Sequence, residues 1–256
     1  MAGRFYPRDP TKLAAIVDRL LDAVEVPDGE PLATAYVVPH AGYVFSGPTA
    51  ALVYARLRRH AAQVERVVLV GPAHFVPLTG CAAPASDAWA TPLGELPVVD
   101  ATGLAEHLAV DDAPHAPEHS LEVQLPFLQR ALGRPAPILP IAVGRASADA
   151  VGAALAAAVA AGPGDTVVLC STDLSHYLDR AAAMDRDART ASAIESLAPE
   201  RIEVRDACGV FALRGLLSWA RAGSLRPELL GLATSADTAG DPYRVVGYGA
   251  FRLHTS

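Results

Sequence analysis

The chain has 256 residues, 51% of them hydrophobic, and a formal net charge of −7, which is ample apolar material for one large domain with a buried core. With 28 acidic against 21 basic residues it lacks the basic surface that nucleic acid or anionic lipid would need. Its three cysteines, Cys81, Cys170 and Cys208, are odd in number and form no C-x-x-C pair, which speaks against a disulfide framework or a zinc ribbon and for a reducing compartment, the cytoplasm.

The opening MAGRFYPRDP lacks the apolar run of a secretory signal. Asp9-Pro10-Thr11 then opens a helix whose apolar face is Leu13, Ile16, Leu20 and Leu21. Residues 34–38 (TAYVV) read as a buried strand, and Gly47-Pro48 as the start of a helix that runs to about Arg59. Residues 66–70 (RVVLV) are a second buried strand. Residues 100–108 and 118–132 read as helices, the latter kinked or interrupted by Pro126. A third strand at 138–143 precedes a helix at 147–161 with Ser147 as its N-cap, and 166–170 (TVVLC) is a fourth strand. Two helices fit between Arg180 and Ala222, and strands at 229–233 and 244–253 close the chain. Short, continuously apolar strands separated by helices imply an α/β sheet covered on both faces. No segment is long and apolar enough for a membrane span.

The chemistry lies just beyond the strands. TAYVV leads into Pro39-His40-Ala41-Gly42-Tyr43, RVVLV into Gly71-Pro72-Ala73-His74, and TVVLC into Ser171-Thr172-Asp173-Leu174-Ser175-His176. Open α/β sheets bind ligands outside the carboxyl ends of their strands, so parallel strands would bring His40, His74, His176 and Asp173 together. For any one of them a solvated loop histidine is the plainer reading; three in equivalent positions favour function. In Glu118-His119-Ser120-Leu121-Glu122, helical spacing would put Glu118, His119 and Glu122 on one face. Either this is a solvated acidic turn, or His119 enters the crevice while the carboxylates orient it or a neighbour. Cys208, before Gly209 and a helical run, is either a thiol activated by a helix N-terminus or a small buried hydrophobe; spacing does not choose. Cys81 and Cys170 read as core, and Asp112 and His115 as surface. Tyr43 and Tyr177 could line the crevice or pack in the core. The sequence has no H-E-x-x-H, no G-x-G-x-x-G after a strand, no Walker lysine and no G-x-S-x-G.

The segments VVPHAGYVFSG, LVGPAH, ATPLGELPVVD, EHSLEVQLPFLQ, STDLSHY, Ala207-Cys208-Gly209 and VVGYGAF, with the opening AGRFYP, follow one another over nearly the whole chain. Together they resemble the Memo-like family, in prokaryotes the B component of the AmmeMemoRadiSam set and in animals including a mediator of cell motility. That family resembles the LigB-like catalytic subunit of class III extradiol dioxygenases. The resemblance implies one domain over residues 1–256, built on a central mixed, largely parallel sheet flanked by helices. It also implies metal ligands at His40, His74 and Cys208, with catalytic roles for His119, Asp173 and His176. A thiolate in place of the dioxygenases' carboxylate sets this site apart from ring-cleaving enzymes and admits Fe(II), Cu and Zn. The implied function is a metal-binding, redox-active, oxygenase-like enzyme, with Fe(II) the leading cofactor. Its substrate would be a small molecule or peptide, and its partner a radical-SAM or AMMECR-like protein. The alternatives are a non-catalytic adaptor that uses the same cleft, and an iron or copper carrier.

Overall fold

Helices and strands alternate along most of the chain. In order they are α1 (Pro10–Asp22), β1 (Ala35–Val38), α2 (Tyr43–Arg59), β2 (Arg66–Pro72), β3 (Cys81–Ala83), β4 (Ala88–Thr91), β5 (Gly94–Pro97), β6 (Ala109–Val110), α3 (Leu125–Leu132), β7 (Ile138–Val143), α4 (Ala148–Ala160), β8 (Thr166–Ser171), β9 (His176–Leu178), α5 (Arg180–Glu195), α6 (Val210–Ala222), β10 (Arg226–Thr234) and β11 (Val245–His254). The structure is a computed structural model and describes residues 1–162 and 165–255. Nine strands form one mixed sheet in the order β10-β11-β1-β8-β2-β7-β3-β6, with β9 pairing on β11. Its middle, β1-β8-β2-β7, is parallel throughout, so those four carboxyl ends open on one edge. β11 lies antiparallel to β1, and β3 antiparallel to β7. The result is a single α/β domain, consistent with the LigB-like fold.

Alternate residues of the parallel strands feed two cores. Val37, Val68, Val70, Leu139, Val168 and Cys170 pack with residues of α4, α5 and α6. Tyr36, Val38, Val67, Leu69, Ile138 and Leu169 pack with α1, α2 and α3. Strands buried on both faces need no polar alternation, which is why these four read so clearly in the sequence. Cys170 is fully buried and Cys81 nearly so, and no disulfide links the three cysteines. Among the described residues no helix is long and apolar enough to cross a membrane.

Several expected boundaries shift, for local reasons. The second helix begins at Tyr43, not at Gly47-Pro48. Tyr43 is buried against Phe127 at 4.8 Å, and Pro48 withholds a hydrogen bond only from the carbonyl of Val44, a residue 63% exposed to water. The helix expected over 100–108 is only a 3-10 turn at Thr102–Leu104, because the Asp100 carboxylate captures the N–H and hydroxyl of Thr102. The helix expected over 118–132 is a loop, a 3-10 turn at Glu122–Gln124 and then α3. Pro126 sits in the first turn of α3 and starts that helix instead of kinking it. His119 and Glu122 therefore share no helical face. The short strands β3 to β6 and β9 carry no periodic signal and were not anticipated.

Candidate metal centre

β1 delivers His40, which is buried. Its main-chain N–H donates to Asp173 Oδ1 at 2.7 Å, tying the loop after β1 to the loop after β8. Its ring Nδ1 lies 2.9 Å from Ser171 Oγ. The Ser171 hydroxyl gives its one proton to Ser120 O at 2.6 Å and accepts from Gln124 Nε2 at 2.8 Å. Only an accepting lone pair remains on Ser171, so His40 Nδ1 carries the ring proton. Nε2 is then a bare lone pair, and it faces Cys208 Sγ at 3.1 Å. Gln124 is itself clamped, with its Oε1 accepting from Tyr54 OH at 2.7 Å and its Nε2 donating to Pro39 O at 3.1 Å.

β2 delivers His74 under the same logic. Glu118 Oε2 accepts the main-chain N–H of His74 at 2.6 Å, and Oε1 faces His74 Nδ1 at 3.0 Å. Oε1 also accepts the N–H groups of His119 and Ser120 at 2.9 and 2.8 Å. Burial alone would raise the Glu118 carboxyl, but these donors outweigh it and pull it from 4.5 down to about 2. An ionised carboxylate only accepts, so His74 Nδ1 donates and its Nε2 is left free.

Cys208 reaches the same edge through the return of the chain after β8. Gly209 N–H donates to Thr172 Oγ1 at 2.9 Å, and a Cβ at Gly209 would lie 2.9 Å from that oxygen, so only glycine fits this close approach. The ligand atoms of His40, His74 and Cys208 all lie within 4.8 Å of one another. Two oriented imidazole lone pairs and one sulfur fit a transition-metal ion, each imidazole held by the outer partners that such ligands use. His74, Glu118 and His119 meet the same distance limit, but four donors already occupy the Glu118 carboxylate.

The two readings of Cys208 part on its surroundings: α6 begins only at Val210, with Gly209 as its N-cap, so the thiol lies outside the helix. Burial, reinforced by the negative charge of Asp173, pushes the thiol well up, and hydrogen bonds from Asp173, Thr172 and Gly209 offset only part of this. Burial, then the closeness of the His74 and His119 imidazoles, which makes a further positive charge unfavourable, holds the His40 imidazole well below its ordinary value. Without metal the arrangement is a neutral thiol beside a neutral imidazole.

A family model described as Memo-like protein matches residues 1–252. The chain belongs to the Memo-like family. The MEMO1 family protein of Methanopyrus kandleri is 35% identical, over 98% of this chain and 96% of that protein. Those of Aquifex aeolicus and Sulfolobus acidocaldarius are 37% and 33% identical, over 97% and 99% of this chain and 95% and 97% of theirs.

Three further residues lie around this candidate metal-binding group in the Memo-like chain. The His119 ring stacks on His74 at 5.0 Å, meets His40 edge-on at 5.3 Å, and is covered by Phe5 at 4.4 Å. Burial holds it neutral, lowered to about 4. Its Nδ1 is 3.3 Å from Glu118 Oε1 but makes no aligned hydrogen bond there. Asp173 is buried, and burial raises its carboxyl to about 6 despite the N–H groups of His40 and Ala41. It orients His40 through the main chain, not through the ring. His176 stands at the margin, with Nδ1 donating to Leu174 O at 2.8 Å and its ring against Tyr177 at 5.5 Å. A positive charge on its ring would act on His40 and Asp173.

Tyr43 is core, with its hydroxyl donating to Val123 O at 2.6 Å, and Tyr177 is 62% exposed. His115, expected at the surface, is buried, with Nε2 donating to Ala82 O at 3.0 Å, while Asp112 is exposed as expected. Sequence reasoning did not single out Ser171, Ser120 or Gln124. The signal was available: Ser171 ends an apolar strand whose next residues carry the site, and a polar side chain buried there needs partners.

Proposed function

We propose that this protein is a metal-dependent, redox-active, oxygenase-like enzyme acting on a small molecule or peptide, with one transition-metal ion on His40, His74 and Cys208. The observation that carries the reading is the pairing of two fixed imidazole tautomers with one sulfur inside a 4.8 Å cluster. Iron(II) is the leading choice, because imidazole suits it and a single thiolate adds electron density; copper and zinc fit the same donors. A bound iron or copper ion would supply Lewis acidity and one-electron chemistry with oxygen. The protein's own residues would do the rest. His176 has a free Nε2 and is the proton donor or acceptor for substrate. His119, neutral at pH 7, relays a proton or stabilises developing charge beside the metal. Asp173 positions the His40 loop. The three free thiols support a reducing compartment, the cytoplasm, as the place where it works.

A metal carrier is the second reading, favoured by the partial exposure of His74, whose side chain is 25% accessible, so one ligand is open to exchange. Protein purified without oxygen and reconstituted separately with iron, copper and zinc tests both. The enzyme reading expects about one ion per chain, slow loss to a chelator, and oxygen uptake once substrate is supplied. Rapid, complete transfer of the ion to a chelator with no oxygen uptake over a substrate panel favours the carrier.

A further inference from the structure

A cavity of about 560 Å³ shares two walls with the metal centre, His74 and Cys208. That volume lies within the range of small-molecule sites, roughly 300–1,000 Å³. Val143, Leu78 and Phe211 make its apolar walls, and Arg145 stands at the carboxyl end of β7, the fourth parallel strand. Among the described residues no aspartate or glutamate lines it. In a chain of net charge −7, the one permanently charged side chain in this wall is a cation. A second cavity, which includes Glu118, is lined by Asp112 and Glu122 and has the opposite character.

The place of Arg145 is fixed by its backbone. Its N–H donates to Leu78 O at 2.8 Å and its carbonyl accepts from Gly80 N–H at 3.0 Å. A Cβ at the preceding Gly144 would collide with Leu78 O, so the strand end and the loop after β2 close on each other without slack. These main-chain bonds are the hydrogen bonds of Arg145 among the described residues, and its guanidinium is exposed and unpaired there.

We propose that this cavity takes a small organic acid. The carboxylate sits on the Arg145 guanidinium, the apolar body lies against Phe211, Leu78 and Val143, and the far end points to His74 and Cys208. A planar guanidinium matches a carboxylate with two parallel N–H donors. A phosphate dianion would call for further cations, and the wall has none. Where the far end points rests on the metal reading; the carboxylate subsite does not.

The test uses phenylacetate and its neutral isostere phenylacetamide, with benzoate and 3-phenylpropanoate as further acids, titrated calorimetrically into metal-free protein at pH 8. Leaving the metal out prevents a carboxylate from preferring the ion itself. At least one acid should bind about tenfold more tightly than its amide, the low end for a charge-assisted contact at an exposed arginine. Arg145→Gln should remove that preference and leave amide binding unchanged, and Arg145→Lys should restore part of it. Equal affinities for acid and amide, a preference that survives Arg145→Gln, or no binding by any of the three acids overturns the proposal. Metal content is measured separately, on wild type and Arg145→Gln reconstituted with iron, copper or zinc: failure of the metal reading would leave the acid preference intact, and failure of this proposal would leave metal binding intact.

Discussion

Metal binding should release one proton per ion near neutral pH, and the structure says which proton it is. The His40 Nε2 lone pair lies 3.1 Å from Cys208 Sγ, and the ring's own proton is committed to Ser171. Because burial lowers His40 and raises Cys208, the metal-free site keeps its proton on sulfur through neutral pH. A metal can bind the sulfur only by displacing that proton. Each unit of rising pH therefore lowers the cost of displacement by about 1.4 kcal/mol, and affinity should rise about tenfold per unit, or about a hundredfold from pH 6 to pH 8. Competition against a chelator of known pH dependence gives the affinity, and calorimetry in two buffers of different ionisation enthalpy counts the protons. In Cys208→Ser the affinity should fall and the steep pH dependence should go with it. A flat affinity in wild-type protein over this range would mean that a thiolate already stands in the metal-free site and would refute the reasoning.

Ser171→Ala should strip His40 of its Nδ1 acceptor and lower metal affinity about 10- to 100-fold, read by the same competition assay. It should also cost about 1–3 kcal/mol of stability in urea, since the buried hydroxyl serves Ser120, Gln124 and His40 together. Glu118→Gln should likewise weaken metal binding by loosening His74. Its stability effect should depend on pH: the carboxyl titrates at about 2 in the folded chain against 4.5 ordinarily, so its contribution is present above pH 4.5 and fades as pH falls toward 2. The gap between wild type and Glu118→Gln in urea, about 3 kcal/mol at most, should close over that window, and a constant gap would contradict the assignment.

The part of the site that the sequence makes visible is the part that topology controls. Three apolar runs each lead to a histidine within a few residues, and parallel pairing brings two of them, His40 and His74, into one cluster with Cys208 while His176 stays at its margin. The donors' orientation is a different matter. Ser171 meets His40 across 131 residues of chain and is itself held by Ser120 and Gln124 from a third stretch, and no local pattern announces such contacts. Glu118 and His119 were visible as a pair, but helical spacing gave them the wrong geometry: the carboxylate collects main-chain N–H groups, breaks the helix, and serves His74. The state of the Cys208 thiol stays open in the sequence for a similar reason. Its nearness to a helix start is local and legible, whereas its burial and the charge of Asp173 belong to the folded state.

If His40, His74 and Cys208 hold one metal ion together, the ion must carry a sulfur ligand beside its nitrogens. X-ray absorption of the zinc-reconstituted protein tests it most directly. Wild type should show one sulfur scatterer at about 2.3 Å with nitrogen neighbours at about 2.0–2.1 Å, and the sulfur should be lost in Cys208→Ser but not in Cys81→Ser or Cys170→Ser. A zinc shell of nitrogen and oxygen alone, unchanged by Cys208→Ser, would contradict it.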